Sequence, residues 1–263
     1  MIRKSKTRRY INLIKTIGNW QKYLLNKLGK TDVTKYCTRK KKLRFNVPAN
    51  LKGIFKEIFL DEFYDLSFIK KNIDQSSIVF DIGANAGYFT IFITEKISPK
   101  EIHCFEPFPN NFKLLGTNID SRYQHQIFLN NLAVAGPHVK SVDLHYNENN
   151  AFSPTASMFK GIDTVNSTIT VSAIDLEEYC QGHQIQKIDL LKMDCEGAEY
   201  DIFYNLPDSF FSKIKSIYME THNLDTDQNN TDALVRHFKQ LGYKTVVKPI
   251  DDHASMVWAG TLN

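Results

Sequence analysis

Residues 78–92 read IVFDIGANAGYFTIF, and the fold turns on this stretch. It opens as an apolar strand, Ile78-Val79-Phe80, turns on Asp81, Gly83 and Gly87, and resumes as Tyr88-Phe89-Thr90-Ile91-Phe92, which suits a buried helix. A strand, a glycine-containing turn and a helix in that order make a ligand pocket. Glycine lets the backbone approach a ligand closely, and the helix N-terminus offers N–H groups without intrahelical partners. The spacing Gly83-Ala84-Asn85-Ala86-Gly87 is G-x-x-x-G. It is therefore not the G-x-G-x-x-G turn of dinucleotide folds, and with no Lys after Gly87 it is not the phosphate-cradling loop either.

A nucleotide-type pocket without a phosphate grip remains. Asp81, at the end of the strand, is a poor neighbour for a phosphate anion and suits a cationic or hydroxyl-bearing ligand. S-adenosylmethionine fits, with its ammonium, sulfonium, ribose and adenine and no phosphate. A second acid supports this. Ile102-His103-Cys104-Phe105 reads as the next strand and Glu106 closes it, 19 positions after Gly87. An acid about 20 residues on, at the tip of the second strand, hydrogen-bonds a ribose diol in nucleotide folds.

The segments DIGANAGYFT, HCFEP, NLAV (131–134), KMDCEGAEYDIF (192–203) and METH (219–222) together resemble the FkbM family of S-adenosylmethionine-dependent methyltransferases, over roughly residues 45–243. The opening motif is shared by many class I methyltransferases; the K-x-D-x-E-G-A-E block is far more specific. The resemblance implies an α/β fold with a Rossmann-like, seven-stranded, doubly wound sheet. It also implies O-methylation of a hydroxyl, most often on a sugar or polyketide-like metabolite. Donor contacts are expected from Asp81, Gly83, Ala84, Asn85, Gly87, Thr90, Glu106, Pro107, Asn131, Ala133 and Asp194. Asn131 lies near the adenine in the family; its side chain suits either an adenine edge or a loop cap.

Ile188 to Met193 reads as the fourth strand, with Asp194 at its end, and open α/β sheets bind ligands outside the carboxyl ends of their strands. Asp194, Glu196 and Glu199 follow it into that position, and Gly197 allows a tight turn into a helix whose first turn favours the charge of Glu199. The fifth strand, 214–219, leads into Glu220-Thr221-His222. Asp194, Glu196, Glu220 and His222 thus converge as candidate catalytic groups. Methyl transfer needs an acceptor oxygen placed in line and relieved of its proton. A His with an ordinary value near 6.5 is one general base; Asp194 and Glu220 holding Mg²⁺ is the alternative. Lys192, inside the strand, is placed to pair with one of these acids. Cys195 reads as a small pocket-lining residue rather than a nucleophile.

At 263 residues and 42% apolar content, one domain with a sizeable core is expected. No apolar run is long enough to span a bilayer and the basic start lacks a signal-peptide pattern. Four cysteines without C-x-x-C pairing suggest free thiols and a cytoplasmic setting. The net charge of +4 hides an asymmetry. Residues 1–44 hold 15 of the 33 Lys and Arg but one of the 29 acids, Asp32, so this segment is +14 and the rest −10. We read a basic N-terminal helical arm (1–44), a helical entry segment (45–77) and a methyltransferase domain (78–263). In the arm, Leu13, Ile14, Ile17, Trp20, Leu24 and Leu28 fall on one stripe of a helix over 10–28. That stripe suits packing on the main domain, or a membrane surface or other anionic partner. Nucleic acid ranks low, because aromatic and basic residues are not interleaved.

LRFNVP (43–48) reads as a short strand, and 51–72 as an amphipathic helical wall in which Tyr64 is within reach of the site but better suits core packing. Residues 127–134 read as one third strand with a polar step. A β insertion is expected at about 136–170, with strands near 142–146 and 168–171 and a loop over the site mouth carrying Ser153 and Ser157. The tail, 243–247 and 254–259, supplies an antiparallel edge hairpin. The resemblance implies a small-molecule or glycan hydroxyl as the acceptor. N-methylation or nucleic-acid methylation is the competing enzymatic reading, disfavoured because N-P-P-[YF] is absent. A non-catalytic cofactor-binding scaffold targeted by its basic arm is the third.

Overall fold

A computed structural model describes residues 6–29, 33–149, 151–153 and 166–260. The chain opens with α1 (Lys6–Thr16) and α2 (Gln21–Leu28), then a hairpin of β1 (Val33–Cys37) and β2 (Arg44–Pro48), then α3 (Lys52–Phe59) and α4 (Leu66–Asn72). The alternating part follows: β3 (Ile78–Ile82), α5 (Tyr88–Lys96), β4 (Glu101–Phe105), α6 (Pro109–Asn118) and β5 (Ile127–Asn130). Next come β6 (Ala133–Val134), β7 (Ser141–Tyr146), β8 (Ser167–Ile174), α7 (Leu176–Gly182), β9 (Leu190–Met193), α8 (Glu199–Asn205) and α9 (Asp208–Phe211). The chain closes with β10 (Ser216–His222), α10 (Thr231–Gln240), β11 (Lys244–Pro249) and β12 (Ala254–Gly260).

The main sheet has seven strands in the order β11-β12-β10-β9-β3-β4-β5. β5, β4, β3, β9 and β10 run parallel, and β12 is antiparallel to both β10 and β11. The expected Rossmann-like sheet with its antiparallel edge hairpin is therefore present. Strand alternation sends Val79, Leu190 and Tyr218 to one face, and Phe80, Leu191 and Ile217 to the other, into two separate apolar clusters. α7 to α10 cover the second face; α5 and the N-terminal elements cover the first.

α5 explains the N-terminal layer. Every residue from Tyr88 to Glu95 is buried, and a helix buried all round needs cover on the side away from the sheet. Phe59 of α3 meets Phe92 edge-on at 5.8 Å, and Phe45 of β2 lies 6.0 Å from Tyr88. Glu95 is buried too; its carboxylate accepts from the amides of Lys40 and Lys41 at 2.8 and 2.9 Å.

Several elements differ from expectation. The helix over 10–28 is two helices, broken at 17–20 where Ile17 bridges Thr38 and the Gly18 amide donates to Cys37. Only part of its stripe is inward: Leu13 and Ile17 are fully buried, while Ile14 and Leu24 are exposed. The helical wall also breaks, at Leu60–Asp65, and the Asp65 carboxylate caps α4 by accepting from the Ser67 and Phe68 amides. The single third strand is β5 followed by β6, because Asn131 turns the chain out of the main sheet. β6 pairs with β8 in a separate three-stranded sheet, β6-β8-β7, at the expected β insertion. β10 continues through Glu220 and His222, paired with Met256 and Ala254, where a strand ending at Met219 was expected.

Candidate active site

The chain runs outward from β3 through β4 to β5, then returns to β9 on the other side of β3. The crevice of a doubly wound sheet lies at such a reversal. Gly83 (φ +72°) follows β3, and a Cβ there would lie 1.9 Å from the Asp194 carbonyl oxygen, so the two strand ends touch through backbone alone. The Asp194 amide donates to Ile82 at 3.1 Å, and the Gly83 and Ala84 amides donate to Phe105 at 3.0 and 2.9 Å.

Register places Asp81 beside Lys192 across this seam. Lys192 Nζ lies 3.2 Å from Asp81 Oδ1 and donates to the Gly83 carbonyl at 2.9 Å. Its ammonium is held charged; burial opposes this, but Asp81 and Asp194 outweigh burial. Asp81 is fully buried, and its other oxygen accepts from Thr90 Oγ1 at 2.6 Å. Asp81 and Thr90, expected at the ligand, are thus not on the cavity wall: a fully buried carboxylate, ion-paired with Lys192 and hydrogen-bonded to Thr90, braces the turn instead. Gly87 (φ +80°) caps α5 behind the turn.

A cavity of about 350 Å³ opens at the carboxyl ends of β3, β4, β9 and β10. Of the expected donor residues, Gly83, Ala84, Asn85, Glu106, Pro107, Ala133 and Asp194 line it. Asn131 does not; its Nδ2 donates to the carbonyls of Glu106 and Pro107 at 2.8 and 3.0 Å, the loop-cap role. Glu106 accepts from the Asn85 amide at 2.7 Å and from Phe108 at 2.9 Å. Burial pushes its carboxyl up to about 7, against the lowering pull of those two amides.

Residues 151–153 pass along the cavity. Asn85 and Asn111 donate through Nδ2 to the Ser153 carbonyl, at 3.1 and 2.7 Å, and Asn50 donates to Phe152. Ser153 therefore lines the cavity as expected; Ser157 lies outside the described residues.

At the other end, Asp194, Glu196 and Glu220 all line the cavity. Desolvation, then the Asp194 charge, raises Glu196 to about 7 and Glu220 to about 8. His222 lies behind them and off the cavity wall, with Glu196 at 3.7 Å, Glu199 at 3.5 Å and Glu220 at 3.6 Å. Burial alone would lower its value, but the surrounding carboxylates, Glu199 foremost, raise it to about 10. His222 is therefore an imidazolium at neutral pH, with no lone pair free to take a proton, which counts against it as the general base. Cys195 lines the cavity, and burial and Glu199 push its thiol far up, so it is no nucleophile.

Asp194 and Glu220, the pair expected as an alternative Mg²⁺ site, share the cavity wall. Among the described residues, no group of three or more His, Cys, Asp or Glu side chains is placed to hold a metal ion. The His222 imidazolium already supplies a cation to Glu196 and Glu220.

Two further cavity groups come from the helical entry segment, and of these only Glu57 was missed. Glu57 of α3 lines the cavity and is raised by burial and by Asp194. Tyr64 packs on Phe89 and Tyr218, at 4.8 and 5.4 Å, as expected of a core residue, yet it also lines the cavity. Neither carries a local motif; their helical spacing is that of any amphipathic helix, and only packing against α5 brings them to Asp194.

Residues 81–245 match the methyltransferase FkbM domain, and the chain belongs to that family of S-adenosylmethionine-dependent methyltransferases. It is 26% identical over 194 residues to methyltransferase sdnD of Sordaria araneosa, covering 64% of this chain and 73% of that one. It is 23% identical over 210 residues to the 31-O-demethyl-FK506 methyltransferase FkbM of Streptomyces tacrolimicus, covering 70% and 79%. A third relative, the AMB antimetabolite synthetase AmbE of Pseudomonas aeruginosa, is 22% identical, but the chain spans only 11% of its length. Among solved structures, the FkbM methyltransferase of Methylobacillus flagellatus KT superposes with a TM-score of 0.46 at 11% identity, over 71% of this chain and 44% of that one.

Proposed function

We propose that this enzyme transfers a methyl group from S-adenosylmethionine to an uncharged hydroxyl, with a sugar or glycoconjugate as the acceptor class. The observation that carries the reading is the pair of half-buried acids, Glu196 and Glu220, side by side on the cavity wall around His222 and raised to about 7 and about 8. General bases work best when their value lies near the operating pH, and such shifts concentrate at functional sites.

S-adenosylmethionine, when bound, supplies an electrophilic methyl on a sulfonium. The residues present fit it. Glu106, raised but buried on the wall, offers oxygen lone pairs to a ribose diol. Ala133 and Val134 give an apolar wall suited to an adenine, and the one lysine at the turn, Lys192, is already engaged by Asp81 and the Gly83 carbonyl. Lys192 acts as a positioning residue: it locks the Gly83 turn to the end of β9, so that Asp194 and the turn keep one spacing. Glu220 takes the acceptor proton, and Glu196 shares it, the two titrating as a pair. His222 acts through them, as a fixed positive charge that keeps the pair from rising further. Glu57, Asp194, Glu196 and Glu220 make this end acidic, which disfavours phosphate or carboxylate groups next to the reacting hydroxyl.

Two measurements test the reading. Calorimetric titration with S-adenosylhomocysteine should show binding, weakened about ten- to hundredfold in Glu106→Gln, since a charge-assisted hydrogen bond is lost. Label from S-adenosylmethionine should enter neutral glycan fractions, with or without EDTA. Label confined to amine-bearing or nucleic-acid fractions would overturn the hydroxyl assignment.

A further inference from the structure

The site leaves the N-terminal layer unexplained. Of the eight large apolar side chains exposed among the described residues, four lie on α1 and α2: Ile11 (44%), Ile14 (40%), Leu24 (38%) and Leu25 (64%). Single exposed aliphatics are ordinary, but four on two successive helices in the most basic part of the chain are not. The same helices show Lys15 and Lys22 to solvent.

A basic loop is fixed beside them. The Arg39 amide donates to Thr16 at 2.7 Å, and Arg39 Nε donates to the Ile14 carbonyl at 2.6 Å. The amides of Lys40 and Lys41 close on Glu95. Arg39, Lys40 and Lys42 are exposed, so the aliphatic residues of α1 and a cationic loop share one rigid patch. Acids that this layer touches are already engaged: Asp61 pairs with Arg9 at 2.7 Å, and Glu95 holds the loop.

We propose that this face seats the protein on an anionic phospholipid surface, with Ile11, Ile14, Leu24 and Leu25 entering the headgroup boundary and the Arg39–Lys42 cations meeting lipid phosphates. Aliphatic side chains beside Lys and Arg are what an interfacial helix presents to acyl chains and anionic headgroups. A nucleic-acid surface would show aromatic rings for stacking, but Tyr10, Trp20 and Tyr23 pack inward against the core. No helix among the described residues is long and apolar enough to cross a membrane, so the contact lies on the bilayer. α3 links this face to the cavity. Asn12 Nδ2 donates to the Leu60 carbonyl just past that helix, which supplies Glu57 and Ile58 to the cavity wall.

Co-sedimentation of the full chain tests this, with vesicles of phosphatidylcholine alone and of phosphatidylcholine with an equal part of phosphatidylglycerol. Binding is expected only to the anionic vesicles. The pair Ile14→Gln and Leu25→Gln should weaken it about tenfold or more, and Lys40→Gln with Lys42→Gln about tenfold, because apolar burial and charge both contribute. Unchanged circular dichroism and S-adenosylhomocysteine binding would show that the variants fold. No sedimentation with anionic vesicles overturns the proposal. So does adsorption that Ile14→Gln and Leu25→Gln leave intact, or binding to RNA with none to vesicles.

Discussion

Glu196 and Glu220 share the cavity wall and the Glu196 charge raises Glu220, so the pH profile of kcat should report both rather than either residue alone. Activity should rise with pH through about 7 to 8, as the base loses its proton. Glu196→Gln removes a charge that raises Glu220, so the acid limb should move to lower pH; a limb that stays in place would separate Glu196 from the base. Glu220→Gln should lower kcat by about 10²–10⁴-fold with donor affinity retained, the usual contribution of a general base. Lys192 makes a different kind of prediction. Lys192→Met strands a fully buried Asp81 carboxylate, and breaking such a pair costs about 3–5 kcal/mol. Urea unfolding should show this loss, and Asp81→Asn in the same chain should recover part of it.

At the scale of elements, α4 depends on its cap. Asp65→Ala removes the acceptor for the Ser67 and Phe68 amides, at 3.0 and 3.3 Å, and should cost about 0.5–2 kcal/mol in thermal unfolding. The effect should reach Phe68, which meets Trp258 edge-on at 3.8 Å. The parallel strands and α5 were readable because strands buried on both faces, and a helix buried all round, leave continuous apolar runs. The breaks at 17–20, 60–65 and 131–132 were not. At each, the local pattern continues, and what ends the element is a distant partner: Cys37 for Gly18, Tyr218 Oη for the Asp65 amide, and the Glu106 carbonyl for Asn131.

For the whole molecule, the raised groups share one direction. Glu220 rises from 4.5 to about 8 and His222 from 6.5 to about 10. A group whose value is higher folded than unfolded stabilises fully below its unfolded value and loses that stabilisation as pH rises through the folded one. His103, buried and lowered to about 4, opposes this below about pH 6.5, so the melting temperature should fall from about pH 6.5 towards pH 10, and Glu220→Gln should flatten the part below about pH 8. A melting temperature that climbs over this range would show that the acid cluster is better solvated than its burial implies.

The order of strand, glycine turn, helix and acid along the chain determined the sheet, the donor-type pocket and the Gly83, Glu106 and Asp194 strand ends. These follow from local constraints: apolar period, backbone freedom at glycine, and the rule that parallel strands present their carboxyl ends on one side. Tertiary structure alone decided which acids face the cavity and which brace it. Asp81 and Asp194 are both strand-end aspartates, yet Lys192 in the neighbouring register takes Asp81 out of reach. His222 reads as a base from its place beside Glu220 on β10, but the turn into α8 brings Glu196 and Glu199 against it as well. Protonation and exposure depend on charges brought together in space, and no spacing along the chain records them.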